Sequence, residues 1–295
     1  MPHRTHKPGV GGSNPPLATN LFMTNISNFC LTLNPEHENL IKKLSYIPVG
    51  LGEKKFSYDS LEDKTGESIS DKNSYYGEYT FHYWIWKNYL NKIETEWVGF
   101  CQYRKFFVNK DANENTLSFD ELTNISINKI DQNLKNYDCI LGKKFSVENF
   151  KLMKILKHHL VDFLLNPGTL IFKKKRTLKF HFDLYHGKGN LDLAIDLLDS
   201  KNKDDFRNFM NSNTSFNPHN MFICKKKFLN EYYESVFPWL KKCEKIFGFK
   251  ELHGYGMQRI YGFLAERYLS YWFLKNCKVK ELPIIVKDIS VYKDL

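Results

Sequence analysis

The side chains best suited to grip a phosphate lie between residues 61 and 107. A polar stretch, Asp63-Lys64-Thr65-Gly66 and then Asp71-Lys72-Asn73, runs into an aromatic segment and an apolar run ending in Gln102-Tyr103-Arg104-Lys105. Polar, glycine-bearing loops on rigid supports offer free backbone NH groups to a ligand. Asn73 or Ser74 is expected to cap the helix that follows, whose positive end favours an anion such as a diphosphate. Arg104 adds a planar guanidinium that holds phosphate in a bidentate fork. The same residue types would also make a capped core helix and a core strand ending in an ion pair.

Other chemistry-bearing groups lie further along. Glu78, inside the aromatic segment, could accept hydrogen bonds from a sugar or pair with a lysine. The stretch from His181 to Asn190 carries His181, Asp183, His186, Gly187 and Gly189, material for an active-site loop. Its histidines are five apart and lack the helix spacing of metal ligands, so one of them is expected to act as a base or to orient substrate. His219 and Asn220 stand at the start of a short strand, as ligand contacts or as core groups. Arg259 and Glu266 are seven apart and share a helix face. Glu266 lies among Phe263, Leu264 and Leu269; a carboxyl with apolar neighbours is pushed up in pKa and suits a general base. A buried ion pair with Arg259 or Arg267 is the alternative.

The elements that would position these groups alternate. Strands are expected at 28–33, 97–107, 137–142, 220–224 and 282–286, with Pro48 keeping the short run 46–50 from the middle of a ladder. Helices are expected at 35–44, 74–92, 150–165, 190–210, 226–247 and 256–275. The stripe Tyr76, Tyr79, Tyr83, Trp86 and Leu90 reads as core. The pattern is α/β: a central, mostly parallel sheet flanked by helices, with a helix-rich C-terminal part, and ligands bound at the carboxyl ends of the strands. A single domain over 23–295 follows from the lack of repeats or linkers. Residues 1–22 read as a non-structural leader. Gly12-Ser13-Asn14-Pro15 is what translation of a transfer-RNA T-arm yields, so Met23 is expected as the natural start. A presequence helix is disfavoured by Pro15-Pro16.

With 295 residues, 42% hydrophobic and 16% aromatic, the chain can bury a sizeable core and is not of the disordered class. No run of about 18 apolar residues offers a membrane span. The six cysteines show no C-x-x-C pair and read as reduced core thiols of a cytosolic protein. Much of the net charge of +10 falls in 143–179, which has ten basic and two acidic residues interleaved with Leu, Ile, Phe and Met. Such a segment suits an anionic membrane leaflet, or is a solvated charged face. No nucleic-acid-binding motif accompanies it, so nucleic acid is not expected as a partner.

The order D-x-T-G-E-x-I-S-x-K-N over 63–73, Y-Y-x-E-x-T-x-x-Y-W-x-W-K-N over 75–88 and W-V-G-F-C-Q-Y-R-K-F-F over 97–107 resembles a bacterial group of glycosyltransferase-like proteins. They are encoded with capsule, exopolysaccharide and lipopolysaccharide genes and are grouped with the GT-A nucleotide-sugar enzymes. The likeness continues at 216–223, 255–259 and 266–268, and covers nearly the whole chain from residue 27. It implies a GT-A-like fold; with the cysteine usage and the basic segment 143–179 above, it gives a cytoplasmic enzyme, peripheral at the inner membrane face. The enzyme would move a sugar from a nucleotide-diphosphate donor to a growing glycan or lipid-linked glycan. By this resemblance Asp63, Thr65, Gly66, Lys72, Asn73, Glu78, Arg104, His219, Asn220 and Arg259 lie about the nucleotide sugar. Glu266 is the first choice of base, with His181, His186 and Asp183 as the others. GT-A enzymes usually hold Mg²⁺ or Mn²⁺ through an Asp-x-Asp at a central strand end. Gln102-Tyr103-Arg104 stands there instead, which leaves the metal open. A non-catalytic, membrane- or polyanion-binding protein of the same fold is the alternative.

Overall fold

A computed structural model describes residues 24–58, 60–148, 168–250 and 252–293. The leader expected over 1–22 and the helix expected over 150–165 lie outside the described residues. Strand β1 (Thr24–Thr32) pairs in parallel with β2 (Ile47–Gly50), which pairs in parallel with β3 (Leu61–Glu62). On its other side β1 pairs in parallel with β4 (Trp97–Gln102), and β5 (Lys105–Phe107) folds back antiparallel on β4. Short β6 (Lys129–Ile130) caps the start of β1, and β7 (Cys139–Gly142) follows. β8 (Phe145–Ser146) and β9 (Ser215–Phe216) form a separate ribbon. β10 (Phe222–Lys225) inserts antiparallel between β4 and β7, β11 (Val279–Leu282) runs parallel to β7, and β12 (Ile284–Val286) pairs with β5.

The sheet order is therefore β11-β7-β10-β4-β1-β2-β3. From β1 the chain moves outward to β3, then returns to lay β4 on the opposite side of β1. That reversal opens a crevice at the carboxyl ends of β1 and β4, the place where open α/β sheets bind ligands. Pro48 pairs with Cys30, whereas β3 reaches only Val49 and Gly50, so the missing NH of Pro48 costs no bond to β3.

Every residue of β4 is buried, as expected of a strand covered on both faces. One face packs Phe29, Phe100 and Phe222 against the aromatic segment and the helices Lys226–Phe247 and Ile260–Asn276. The other packs Cys30, Cys101, Ile140 and Ile223 against Phe106, Phe107 and Leu122. Each fully buried ring contributes roughly 1.5–3 kcal/mol relative to exposure. All six cysteines are free thiols. Within the aromatic layer, Tyr79 and Tyr232 share a hydroxyl bond of 2.5 Å, and His82 Nδ1 meets the Tyr233 hydroxyl at 2.7 Å.

Several expected elements are interrupted. The helix expected over 74–92 is Asn73–Tyr76, a break at Gly77, Tyr79–Trp84, a π turn over Ile85–Tyr89 and a 3-10 turn over Leu90–Lys92. Gly77 has φ of 57°, and a Cβ there would lie 1.9 Å from the Arg259 guanidinium. The break thus gives that cation its room. Asn73 does not cap the helix start: its amide donates to Gly77 O (3.2 Å) and Thr80 Oγ1 (3.1 Å), stitching across the break. The strand expected over 97–107 turns back at Tyr103-Arg104, so Arg104 sits in the turn between β4 and β5. The helix expected over 190–210 divides into Asn190–Asp196 and Ser200–Ser212.

Candidate functional site

Two adjoining hollows, of about 580 and 500 Å³, lie at the carboxyl ends of β1 and β4 and share Glu78, Gln102, Arg104 and Arg259. One continues to Lys105, His219, Asn220, Tyr255, Phe263 and Glu266. The other continues to Thr32, Leu33, Leu51, Asn73 and Tyr103. Three cations, Arg104, Lys105 and Arg259, and two carboxylates, Glu78 and Glu266, therefore line one crevice.

Hydrogen bonds fix these groups in a chain. Gln102, the last residue of β4, donates through Nε2 to Glu78 Oε1 (2.8 Å) and to His219 O (3.3 Å). Arg259 Nη2 lies 3.5 Å from Glu78 Oε2. Lys105 Nζ stands 3.0 Å from His219 Nδ1. An ammonium can only donate, so Nδ1 accepts and a neutral His219 carries its proton on Nε2. Burial, with Lys105 next in weight, pushes His219 down to about 4, so it is neutral at pH 7. Burial also lowers Lys105, with Glu78 opposing. Arg104 is exposed in its turn and has no carboxylate partner among the described residues.

The opposite wall is set by Glu266. Its Oε1 accepts from His219 N at 2.6 Å and its Oε2 from Arg267 Nη1 at 2.5 Å. Arg267 is buried, with its guanidinium 3.6 Å over the Phe216 ring, a cation–π contact. His219 (φ 82°) and Asn220 (φ 53°) both adopt left-handed backbone that side chains rarely take. The bonds from Glu266, Gln102 and Lys105 hold residue 219 there, the kind of over-determined strain that collects at functional sites.

Of the residues expected about a nucleotide sugar, Asn73, Glu78, Arg104, His219, Asn220 and Arg259 line the crevice. Asp63, Thr65, Gly66 and Lys72 do not. Their loop packs on the aromatic segment: Thr65 O accepts from Trp84 Nε1 (2.7 Å), and Asn88 clamps the backbone at Glu67, beside Gly66. Lys72 pairs with Glu244 at 2.8 Å. Asp63 is fully buried, and burial pushes its carboxyl up while Thr80 acts the other way.

The stretch expected to be an active-site loop is instead the end of the helix Leu178–His186, with a short turn over 187–189 into the next helix. Asp183 is held by Lys179 (2.9 Å) and by Gly189 N (3.3 Å). His186 stacks on Phe263 at 4.1 Å between centroids, and its Nδ1 meets Gly256 O at 2.9 Å. Burial pushes His181 and His186 to about 3, so both are neutral. None of the three lines the crevice. Glu266 does, and it is also the buried ion-pair partner of Arg267 rather than of Arg259. Sequence reasoning misses Gln102 as the link between both walls. It also names no role for Tyr255, which opens the family-like block 255–259 and is 69% exposed at the rim.

A divalent cation fits these residues poorly. Among the described residues no group of three or more His, Cys, Asp or Glu side chains is placed to hold a metal. Glu78 and Glu266 are each bonded to a guanidinium and to an NH donor. Hard cations need several oxygen ligands. The crevice offers positive charge where such an ion would sit.

Over residues 35–277 the chain matches the model of a family described as Domain of unknown function (DUF4422). No curated protein matches the sequence. Among solved structures, the WbbM bifunctional glycosyltransferase in its apo form aligns with a TM-score of 0.66 at 20% identity, over 89% of this chain and 45% of that one. This chain thus spans less than half the length of that bifunctional protein. Core-mannan synthase A (CmsA/Ktr4) from Aspergillus fumigatus, in its Mn/GDP form, aligns over 95% of this chain and 81% of that one, with 12% identity and a TM-score of 0.34. The likeness to WbbM, with the sheet order above, makes this a GT-A-like α/β fold: the α/β layering expected from the sequence pattern, and the GT-A likeness implied by the family resemblance.

Proposed function

The chain belongs to the family described as Domain of unknown function (DUF4422), and from that premise we propose that it is a glycosyltransferase using a nucleotide-diphosphate sugar. The observation that carries this reading is the convergence of Arg104, Lys105 and Arg259 at the β1/β4 switch point. A sugar leaving a nucleoside diphosphate transfers negative charge to the diphosphate, and preorganised cations stabilise that charge as it develops. Arg104 grips the phosphates in a fork, while Arg259, held by Glu78, and Lys105, held by His219, supply fixed charge. Leu33, Leu51 and Tyr103 make the apolar side of the neighbouring hollow and suit the nucleoside.

The acceptor hydroxyl enters along Tyr255 and Phe263, on the side of Glu266. It attacks the anomeric carbon, the bond to the diphosphate oxygen breaks, and the hydroxyl proton passes to a carboxylate, for which Glu266 is the choice. The described residues do not assemble a ligand set for a metal, and the cations of the crevice carry the charge of the leaving diphosphate. The finer reading is a hexosyl transfer to a growing capsule, exopolysaccharide or lipopolysaccharide glycan at the cytoplasmic face of the membrane. Met23 as natural start and one domain over 23–295 belong to the same proposal. A chain beginning at Met23 is expected to melt at the temperature of the full chain.

A thermal-shift screen against UDP, GDP, CMP and their sugars, with Mg²⁺, Mn²⁺ or EDTA, tests the proposal. Binding to the native state raises the melting temperature by mass action, about 2.7 kcal/mol at a hundredfold excess over Kd. At least one nucleotide is expected to shift the melt, and to do so in EDTA. No shift with any of them would instead favour a non-catalytic member of the fold.

A further inference from the structure

The basic segment ends in a surface feature that the crevice does not use. The short helix Gly168–Ile171 closes on Ile171, 75% exposed, and Phe172, 57% exposed. The next turn, Lys173–Lys175, is exposed throughout, and Lys175 Nζ stands 5.4 Å from the Phe172 ring centre. Arg176 departs from its neighbours. It is buried, with Nε donating to Thr169 O (2.7 Å) and Nη1 to Glu148 O (2.5 Å). The guanidinium is thus the peg that holds the turn in place, and three lysines and two large apolar side chains are presented outward.

We propose that Ile171–Lys175 is a docking surface for an anionic lipid bilayer. Lysines alone would suit any polyanion. Two exposed apolar side chains beside them add what only a bilayer interface rewards, insertion below the headgroups with the ammonium groups at headgroup level. Among the described residues no helix is long and apolar enough to cross a membrane, so attachment through this turn would be peripheral.

The turn is also tied to the crevice. Glu148, which accepts from Arg176, follows β8, and β8 leaves the carboxyl end of β7, the sheet edge that carries the crevice. β8 pairs with β9 through Phe145 and Phe216, and Phe145 is 52% exposed. Phe216 lies under Arg267, which holds Glu266. A bilayer seated on Ile171 and Phe172 would therefore lie near the acceptor wall, as a lipid-linked glycan requires. That orientation rests on the glycosyltransferase reading; bilayer attachment does not, and it is measured without donor or acceptor.

The test is co-sedimentation with phosphatidylcholine vesicles, with and without one-fifth phosphatidylglycerol, at physiological salt. Two variants of the full chain are compared, K173E/K174E/K175E and I171S/F172S, each checked by its melting temperature, which should match the parent because the altered side chains are exposed. The parent is expected to sediment with the anionic vesicles only. The charge variant should lose partition by about fivefold or more for each lysine reversed, and the serine variant should also lose it. Failure of the parent to sediment would overturn the proposal. So would an I171S/F172S protein that binds vesicles as the parent does, which would leave a plain polyanion patch; equal retention of the parent by single-stranded RNA would point the same way.

Discussion

Residues 181–190 and residues 216–220 make an instructive pair. The first stretch carries two histidines, a carboxylate and two glycines, and every one of its candidate groups is turned to packing. The second, Phe216-Asn217-Pro218-His219-Asn220, carries fewer ionisable groups but enters β10 beside the carboxyl end of β4 and forms the wall of the crevice. Residue type alone therefore misleads. The same imidazole is a wedge behind Phe263 at 186 and a hydrogen-bonding partner of a lysine at 219. The difference is position relative to the strand ends, where backbone groups point outward and the sheet cannot cover them.

The sharpest way to break this comparison is Arg267→Ala. Arg267 stands behind the crevice but holds Glu266 and stacks on Phe216. Removing one partner of a buried ion pair costs about 3–5 kcal/mol, so chemical denaturation should show a loss of that size. A loss under about 1 kcal/mol would mean that Glu266 does not depend on it. Next in size, Arg104→Ala should lower turnover about 10²-fold, as loss of one charge-stabilising donor does. Arg104→Lys should recover only part of this, since the fork is lost while the charge stays. Steady-state rates equal to those of the parent would remove Arg104 from the site.

Glu266→Gln is a finer probe. Both carboxylate oxygens accept from donors, and an amide can satisfy only one of them. Stability should fall by about 1–3 kcal/mol and transfer by the folded fraction should fall further, with nucleotide binding retained. Transfer at the parental rate would exclude Glu266 as base. The smallest effect near neutrality is on pH. His82, His181 and His186 are pushed to about 3 and His219 to about 4 by burial. Their folded values lie below the unfolded value of about 6.5, so below that pH the unfolded chain takes up protons that the folded chain refuses. Melting temperature should hold above pH 7 and fall progressively as pH drops from about 6.5 towards 4. A melting temperature unchanged down to pH 4.5 would contradict the buried, neutral state of these rings.

Much of the frame was legible in the sequence. Short continuous apolar runs locate β1, β4, β7 and β10, and the helix 226–247 falls where its apolar spacing puts it. Glu78, Arg104 and Arg259 could be picked out through the family resemblance, and Glu266 as a carboxyl among apolar neighbours. The break at Gly77 could not be read, because it depends on Arg259 arriving from 182 residues further along the chain. The loop 63–72 reads as a ligand loop until Trp84 and Asn88 are seen to use its carbonyls. Tertiary partners decide such cases, and local pattern carries no record of them.

In the proposed function the cations at the β1/β4 switch point, and not the helix 178–186, hold the diphosphate. Calorimetric titration of the nucleoside diphosphate that gives the largest thermal shift tests it directly, in the parent, Arg104→Ala, Arg259→Ala and Asp183→Asn. Affinity is expected to fall about tenfold or more in each arginine variant, the loss of a charge-assisted bond, and to stay at the parental value in Asp183→Asn. Parental affinity in both arginine variants, or a loss confined to Asp183→Asn, would contradict it.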